Sequence, residues 1–223
     1  MSQLNSDTVL QRVFDLISDL PADRADAVAA RMLRADPASD TAHFALGLAA
    51  LQAGRLEVAI GALRNAGRIN RSSALIARVL GEVFLLADEP DLARIAFVAS
   101  LERSPYDIEA GVGLAVCHAT VGDTVEAKRM LRRLLVANPQ HPVASLYMGL
   151  ILDADGDPMA ALPWLETSVA ANPHSAAAGL HLGRCRMQLG DNAGAEEAFL
   201  AVLSHSPDHR EAQQSLEQLS QAH

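Results

Sequence analysis

Residues 176–209 read AAAGLHLGRCRMQLGDNAGAEEAFLAVLSHSPDH, and the punctuation of this stretch determines the fold. Apolar residues recur at three- and four-residue spacing on both sides of Gly190-Asp191, which predicts two amphipathic helices joined by a short turn. Gly190 supplies a helix stop and Asp191 an N-cap for the second helix. Pro207 ends that second helix, because proline has no amide to continue the bond ladder. Gly183 stands twelve residues before Ala195, and Pro207 twelve residues after it. Small residues at Gly183 and Ala195 let the two helices approach closely.

The same frame recurs at a period of 34 residues. Ala59, Ala93, Ala127, Ala161 and Ala195 share one phase, and Gly47, Gly81, Ala115, Gly149 and Gly183 share another. Turn residues Gly54, Asp88, Gly122, Gly156 and Gly190 lie between the two, while Arg71, Pro105, Pro139, Pro173 and Pro207 close each unit. Such periodicity is the mark of a repeat array. The units are 40–73, 74–107, 108–141, 142–175 and 176–209. One period earlier, 6–39 keeps Ala25 and Pro37 but has Arg12-Val13 where Leu-Gly is expected, a degenerate N-terminal repeat. The tail 210–223, REAQQSLEQLSQAH, reads as a capping helix with Leu216 and Leu219 inward. A solenoid needs such a cap, because its last repeat otherwise exposes a stacking face. No strand-like alternation competes, so the fold class is all-α and residues 1–223 form a single array.

These residues resemble the tetratricopeptide repeat family, whose pattern is Leu-Gly, then Ala three residues before an aromatic, then Pro. Leu182-Gly183, Ala195, Phe199 and Pro207 match it best, followed by Leu80-Gly81, Phe84, Ala93, Phe97 and Pro105. The early Trp is absent throughout, and His118 and Arg186 stand where Tyr is usual. The resemblance implies a right-handed superhelical solenoid of antiparallel helix hairpins whose first helices line a concave groove. By the same resemblance, repeat positions 5 and 9 face that groove. Here they are Phe44 and Leu48, Arg78 and Glu82, Val112 and Val116, Leu146 and Leu150, and Leu180 and Arg184. Family members that clamp a chaperone's C-terminal carboxylate carry Lys and Asn at those positions, and this chain has neither there. A mostly apolar groove suits an amphipathic helix or an apolar extended segment. The alternative is that these side chains pack against neighbouring helices. Gly111 and Gly113 thin the first helix of 108–141 at a cost of about 1 kcal/mol each relative to alanine, which either a pocket walled by Leu146 and Leu150 or neutral drift would explain.

Composition narrows the function further. Hydrophobic residues make up 50% of the 223, enough for a packed core, but aromatics only 4%, so that core is built from aliphatic side chains. A net charge of −9 argues against nucleic acid as a partner, since neutralising phosphates supplies most of that affinity. No apolar run of about 18 residues predicts membrane insertion. MSQLNSDTVLQRVF lacks a basic region followed by an apolar one, so the reading is of a soluble, cytoplasmic protein. His205 and His209 have metal-ligand spacing, but Pro207 breaks the helix that would align them. Cys117 and His118 are adjacent and point about 100° apart on a helix, so they form no dyad. No phosphate loop or nucleophile elbow is present. The expectation is no catalytic residue, no metal and no cofactor. The run Lys128, Arg129, Arg132 and Arg133 falls on a second helix and reads as a solvated outer face.

The function implied is a non-catalytic protein–protein interaction scaffold or adaptor whose partner is a peptide or helix in the groove. Two alternatives stay open. One is a substrate-recruiting or regulatory arm of a transferase or hydroxylase. The other is a self-assembling homo-oligomer in which the helix bearing Leu10, Val13, Phe14 and Ile17 fills another protomer's groove.

Cys117 and Cys185 occupy equivalent positions two repeats apart. Equivalent helices stack at about 10 Å, which places the two thiols roughly 20 Å from each other, far beyond disulfide reach. The intact mass under non-reducing conditions is expected to be that of two free thiols, and an intramolecular bridge would overturn the repeat register.

Overall fold

Helices in this chain start and stop on the 34-residue frame. In the computed structural model, residues 2–221 are described, with side chains over 7–220. Among the described residues there are thirteen α-helices and no strand: α1 Ser2–Ser18, α2 Ala22–Ala35, α3 Asp40–Gln52, α4 Leu56–Ile69, α5 Ala74–Leu86, α6 Pro90–Arg103, α7 Ile108–Thr120, α8 Thr124–Ala137, α9 Pro142–Ala154, α10 Pro158–Ala171, α11 Ala176–Gln188, α12 Asn192–His205 and α13 Arg210–Gln221. The protein is an all-α helical repeat.

The start of each first helix is capped from one phase of the frame. Ser39, Ser73, Asp107, His141 and Ser175 each accept a bond from the amide three residues on. His209 continues the series, its Nδ1 accepting from the Ala212 amide at 3.3 Å. A side-chain cap satisfies one of the four orphan amides at a helix start and contributes about 1 kcal/mol. The histidines at 141 and 209 are therefore structural caps. Between the paired helices Gly122, Gly156 and Gly190 adopt φ of 85°, 83° and 80°, and Asp88 stands in the same left-handed turn at φ 58°. Aspartate tolerates that region better than most side chains. Helix α10 runs through Pro163, whose carbonyl accepts the Thr167 hydroxyl at 2.8 Å.

The chain divides into two units, one ending at Val121 and the other beginning at Gly122. In the first unit α3 packs on α4 and α5 on α6, α2 lies against α3, and α7 against α6. Helix α1 lies across α3 and α5. Leu10, Ile17, Phe44, Leu63, Ile76 and Phe97 are almost fully enclosed in this core. In the second unit α9 pairs with α10 and α11 with α12, while α13 covers α12 and touches α11. Ala212 and Leu219 of α13 are buried with Leu180, Phe199 and Val202.

The frame's glycines mark close approaches. A Cβ at Gly47 would lie 2.6 Å from Leu63 Cγ, and one at Gly183 would lie 2.3 Å from the Phe199 ring. Gly81 and Gly149 meet Phe97 and Leu165 in the same way. Gly113 is explained similarly and not by a ligand pocket: the Phe97 ring holds its space, 2.3 Å from where a Cβ would stand.

Cys117 and Cys185 are buried thiols. Burial pushes the Cys117 thiol up to about 11. The Cys185 thiol donates to the Pro158 carbonyl at 3.2 Å.

Gly113→Ala tests the packing account. Alanine favours the helix by about 1 kcal/mol, so propensity alone predicts a gain. The Phe97 ring instead makes this an overpacked site, at a cost of about 1–3 kcal/mol. The expected outcome is a lower melting temperature by circular dichroism. A raised one would show that the ring yields freely.

Candidate functional site

The ten expected groove residues fall into two classes of exposure. In the first unit Phe44 is fully enclosed, and Leu48, Val112 and Val116 are exposed by only 4%, 2% and 6%. Arg78 and Glu82, one turn apart on α5, are half-buried. In the second unit Leu146 and Leu150 of α9 are half-buried, Leu180 of α11 is buried, and Arg184 is half-buried. Leu146 packs partly against a cluster containing Leu165 and Cys185. The enclosed members already pack against neighbours in the folded chain.

Helix α1 closes the face of α3 and α5. Its Leu10, Val13 and Ile17 are buried, at 1%, 8% and 0% exposure, and Phe14 is half-buried beside them. These four residues follow i, i+3, i+4 and i+7 spacing, one stripe of a helix. Polar bonds tie α1 at Asp7 and at Ile17. The Ser73 hydroxyl donates to Asp7 Oδ1 at 2.6 Å, and Gln52 Nε2 donates to the Ile17 carbonyl at 2.8 Å.

Between these ties the Arg78 guanidinium stands 5.9 Å from the Phe14 ring centroid, within cation–π range. Arg78 also pairs with Glu82 at 2.5 Å and Asp107 at 3.6 Å. Burial raises the Glu82 carboxyl above its ordinary pKa, outweighing the opposing pull of Arg78. One arginine thus links the bound helix, its own helix and the cap of α7.

The second unit carries a different set of charges. Arg184 of α11 pairs with Glu211 of α13 at 3.0 Å. On the same helix His181 is held below its ordinary pKa, first by burial and then by Arg184. Asp153 Oδ1 of α9 is buried without a hydrogen-bond partner. On the outer helix α8, Lys128 pairs with Asp155 and Arg129 with Glu126, so part of the basic run is neutralised locally. His205 meets the edge of His174, ring centroids 4.4 Å apart, while His209 serves as the cap of α13. Among the described residues no group of three or more His, Cys, Asp or Glu side chains could hold a metal ion. No described helix is long and apolar enough to cross a membrane.

Sequence reading named the Leu10, Val13, Phe14 and Ile17 stripe as a groove filler but seated it in another protomer, whereas here it lies across α3 and α5 of its own chain. Phe14 and Asp7 belong to the site although neither lies at a frame position that the family marks. The signal available was the departure from the frame at Arg12-Val13, which says that α1 does not meet its neighbours as an ordinary first helix does.

Exposure separates two substitutions on these faces. Val116→Asp puts a charge into a packed core and is expected to cost more than about 3 kcal/mol. Leu150→Asp can turn its carboxylate to solvent and is expected to cost under about 1.5 kcal/mol. Urea midpoints at constant slope measure both. Equal losses would show that Leu150 is core.

Comparison with known proteins agrees with this architecture. Sequence models described as Tetratricopeptide repeat match residues 154–219 and residues 22–74 and 118–175. Among the curated proteins compared, none matches the chain. A chain of the APC/C hetero-tetramer Cut9–Hcn1 superposes with a TM-score of 0.83 at 13% identity, over 96% of this chain but only 42% of that one. PilW, a widely conserved type IV pilus biogenesis factor, gives 0.76 at 21% identity over 95% of this chain and 98% of its own. PilF of Pseudomonas aeruginosa gives 0.72 at 17% over 95% and 96%. At these identities the likeness carries the fold alone. With the sequence matches, it places the chain in the tetratricopeptide repeat family.

Proposed function

We propose that this chain is a non-catalytic protein–protein interaction scaffold that binds an apolar helix or segment on the faces of its first helices. The observation that carries the reading is α1 itself. An amphipathic helix lies across α3 and α5 through one apolar stripe, so such a face accepts a helix of that kind. In the second unit α9 presents Leu146 and Leu150, half-buried and aliphatic, on its corresponding positions. The Cut9–Hcn1 chain belongs to a hetero-tetramer, which agrees with a repeat surface used for partners. Interface energy concentrates in a few central apolar residues, so these leucines are expected to carry much of the affinity.

The test is affinity capture with the full chain, wild type beside Leu150→Asp, after melts show that the variant folds. The expected result is a partner recovered with wild type and reduced at least tenfold with the variant. A folded variant that keeps the full partner set would overturn the groove reading and move attention to Arg132 and Arg133 on α8.

A further inference from the structure

Helix α1 does not carry the marks of a helix of the array. In four hairpins a glycine of the first helix admits a large side chain of the second, Gly47 with Leu63, Gly81 with Phe97, Gly149 with Leu165 and Gly183 with Phe199, and repeat 108–141 keeps the large residue, Leu131, with Ala115 in the glycine's place. One period before Gly47 and Leu63 stand Val13 and Ala29. Neither half of that lock is present. Val13 is instead spent on the core of α3 and α5, with Leu10 and Ile17.

The described hold on α1 runs along one side of the helix. Among the described contacts it includes one apolar stripe, the Phe14–Arg78 contact and the polar ties at Asp7 and Ile17. Along its N-terminal half a cleft of about 540 Å³, lined by Asp7, Thr8, Gln11, Arg12, Ser72 and Arg103, separates its polar flank from the rest of the unit. Only Asp19, Leu20 and Pro21 join it to α2.

We infer that α1 is a built-in ligand of the first unit, and that a partner's amphipathic helix with the same i, i+3, i+4, i+7 apolar spacing enters this face by displacing it. This rests on the reading that first-helix faces bind helices, and adds the partner's chemistry and its regulation. The matching helix carries an aromatic at i+4 to stand against Arg78. It carries an acceptor one turn before its first apolar residue, as Asp7 does for Ser73. Because α1 is tethered, it competes at high effective concentration and lowers the apparent affinity of any partner by the fraction of chain that is closed. The face is therefore autoinhibited, and what opens α1 turns binding on.

The test uses the full chain and a fluorescein-labelled synthetic peptide of residues 2–20 as probe. Ile17→Asp in the chain removes the fully enclosed last residue of its own stripe and leaves the sequence of α3 and α5 unchanged. Fluorescence anisotropy is expected to show at least tenfold tighter peptide binding to this variant than to wild type. A probe peptide carrying Ile17→Asp is expected not to bind. A folded variant that ignores the wild-type peptide would overturn the inference, as would one that dimerises by light scattering instead of taking up the probe. Hydrogen exchange on the wild-type chain needs no folded variant. Amides of α1 are expected to exchange at least tenfold faster than those of α3 and α5, and equal rates would show that α1 opens only with global unfolding. Partner capture that depends on Leu150 together with equal exchange rates would defeat this inference alone. Loss of the Leu150 dependence would defeat the reading beneath it.

Discussion

A large side chain laid on bare backbone holds four of the hairpins together, α3–α4, α5–α6, α9–α10 and α11–α12. Leu63, Phe97, Leu165 and Phe199 are fully enclosed, and each rests where a first-helix glycine leaves no Cβ in the way. Burying one such side chain contributes about 1.5–3 kcal/mol, and dispersion contacts add to it because the fit is close. The glycine costs about 1 kcal/mol of helix propensity, a loss the packing outweighs. Leucine and phenylalanine alternate at this position without disturbing the period, so the constraint is on depth of approach more than on side-chain shape. Alanines at 59, 93, 161 and 195 keep the facing helix equally close.

Much of this was legible because period, turn residues and small residues are one-dimensional signals. The phase of Ala59, Ala93, Ala127, Ala161 and Ala195 places the close contacts directly, and every one of those alanines is fully buried. Histidine capping was not legible, since an imidazole accepts an amide bond only in one tautomer and one ring orientation, which spacing does not report. The role of Gly113 was misread for a related reason. A glycine in a helix says that something comes close, but only packing shows that the something is Phe97.

The site was legible as a set of positions and not as a surface. Positions 5 and 9 of each repeat name Phe44 and Leu48 as readily as Leu146 and Leu150, yet the first pair is enclosed and the second half-buried. Which pair meets solvent depends on what else in the chain folds over it, a non-local fact. Electrostatics shows the same limit. Arg78 and Glu82 look like isolated groove charges in sequence, while in the fold Arg78 is shared among Phe14, Glu82 and Asp107.

The consequence for binding follows from the difference between core and face. An apolar residue enclosed by its own chain contributes to folding and has nothing left to offer a partner. The half-buried leucines of α9 retain area that can still be removed from water. The enclosed face of α3 and α5 regains such area only if its cover leaves. Leu10, Val13 and Ile17, the Phe14–Arg78 contact and the ties at Asp7 and Ile17 are among what holds that cover, while the α3–α4 and α5–α6 hairpins below are locked at a glycine position where α1 has Val13. Local opening draws on the weakest contacts first, and on the inference above the helix that opens in this unit is α1, which has Val13 and Ala29 where the hairpins named here have a glycine and a large side chain.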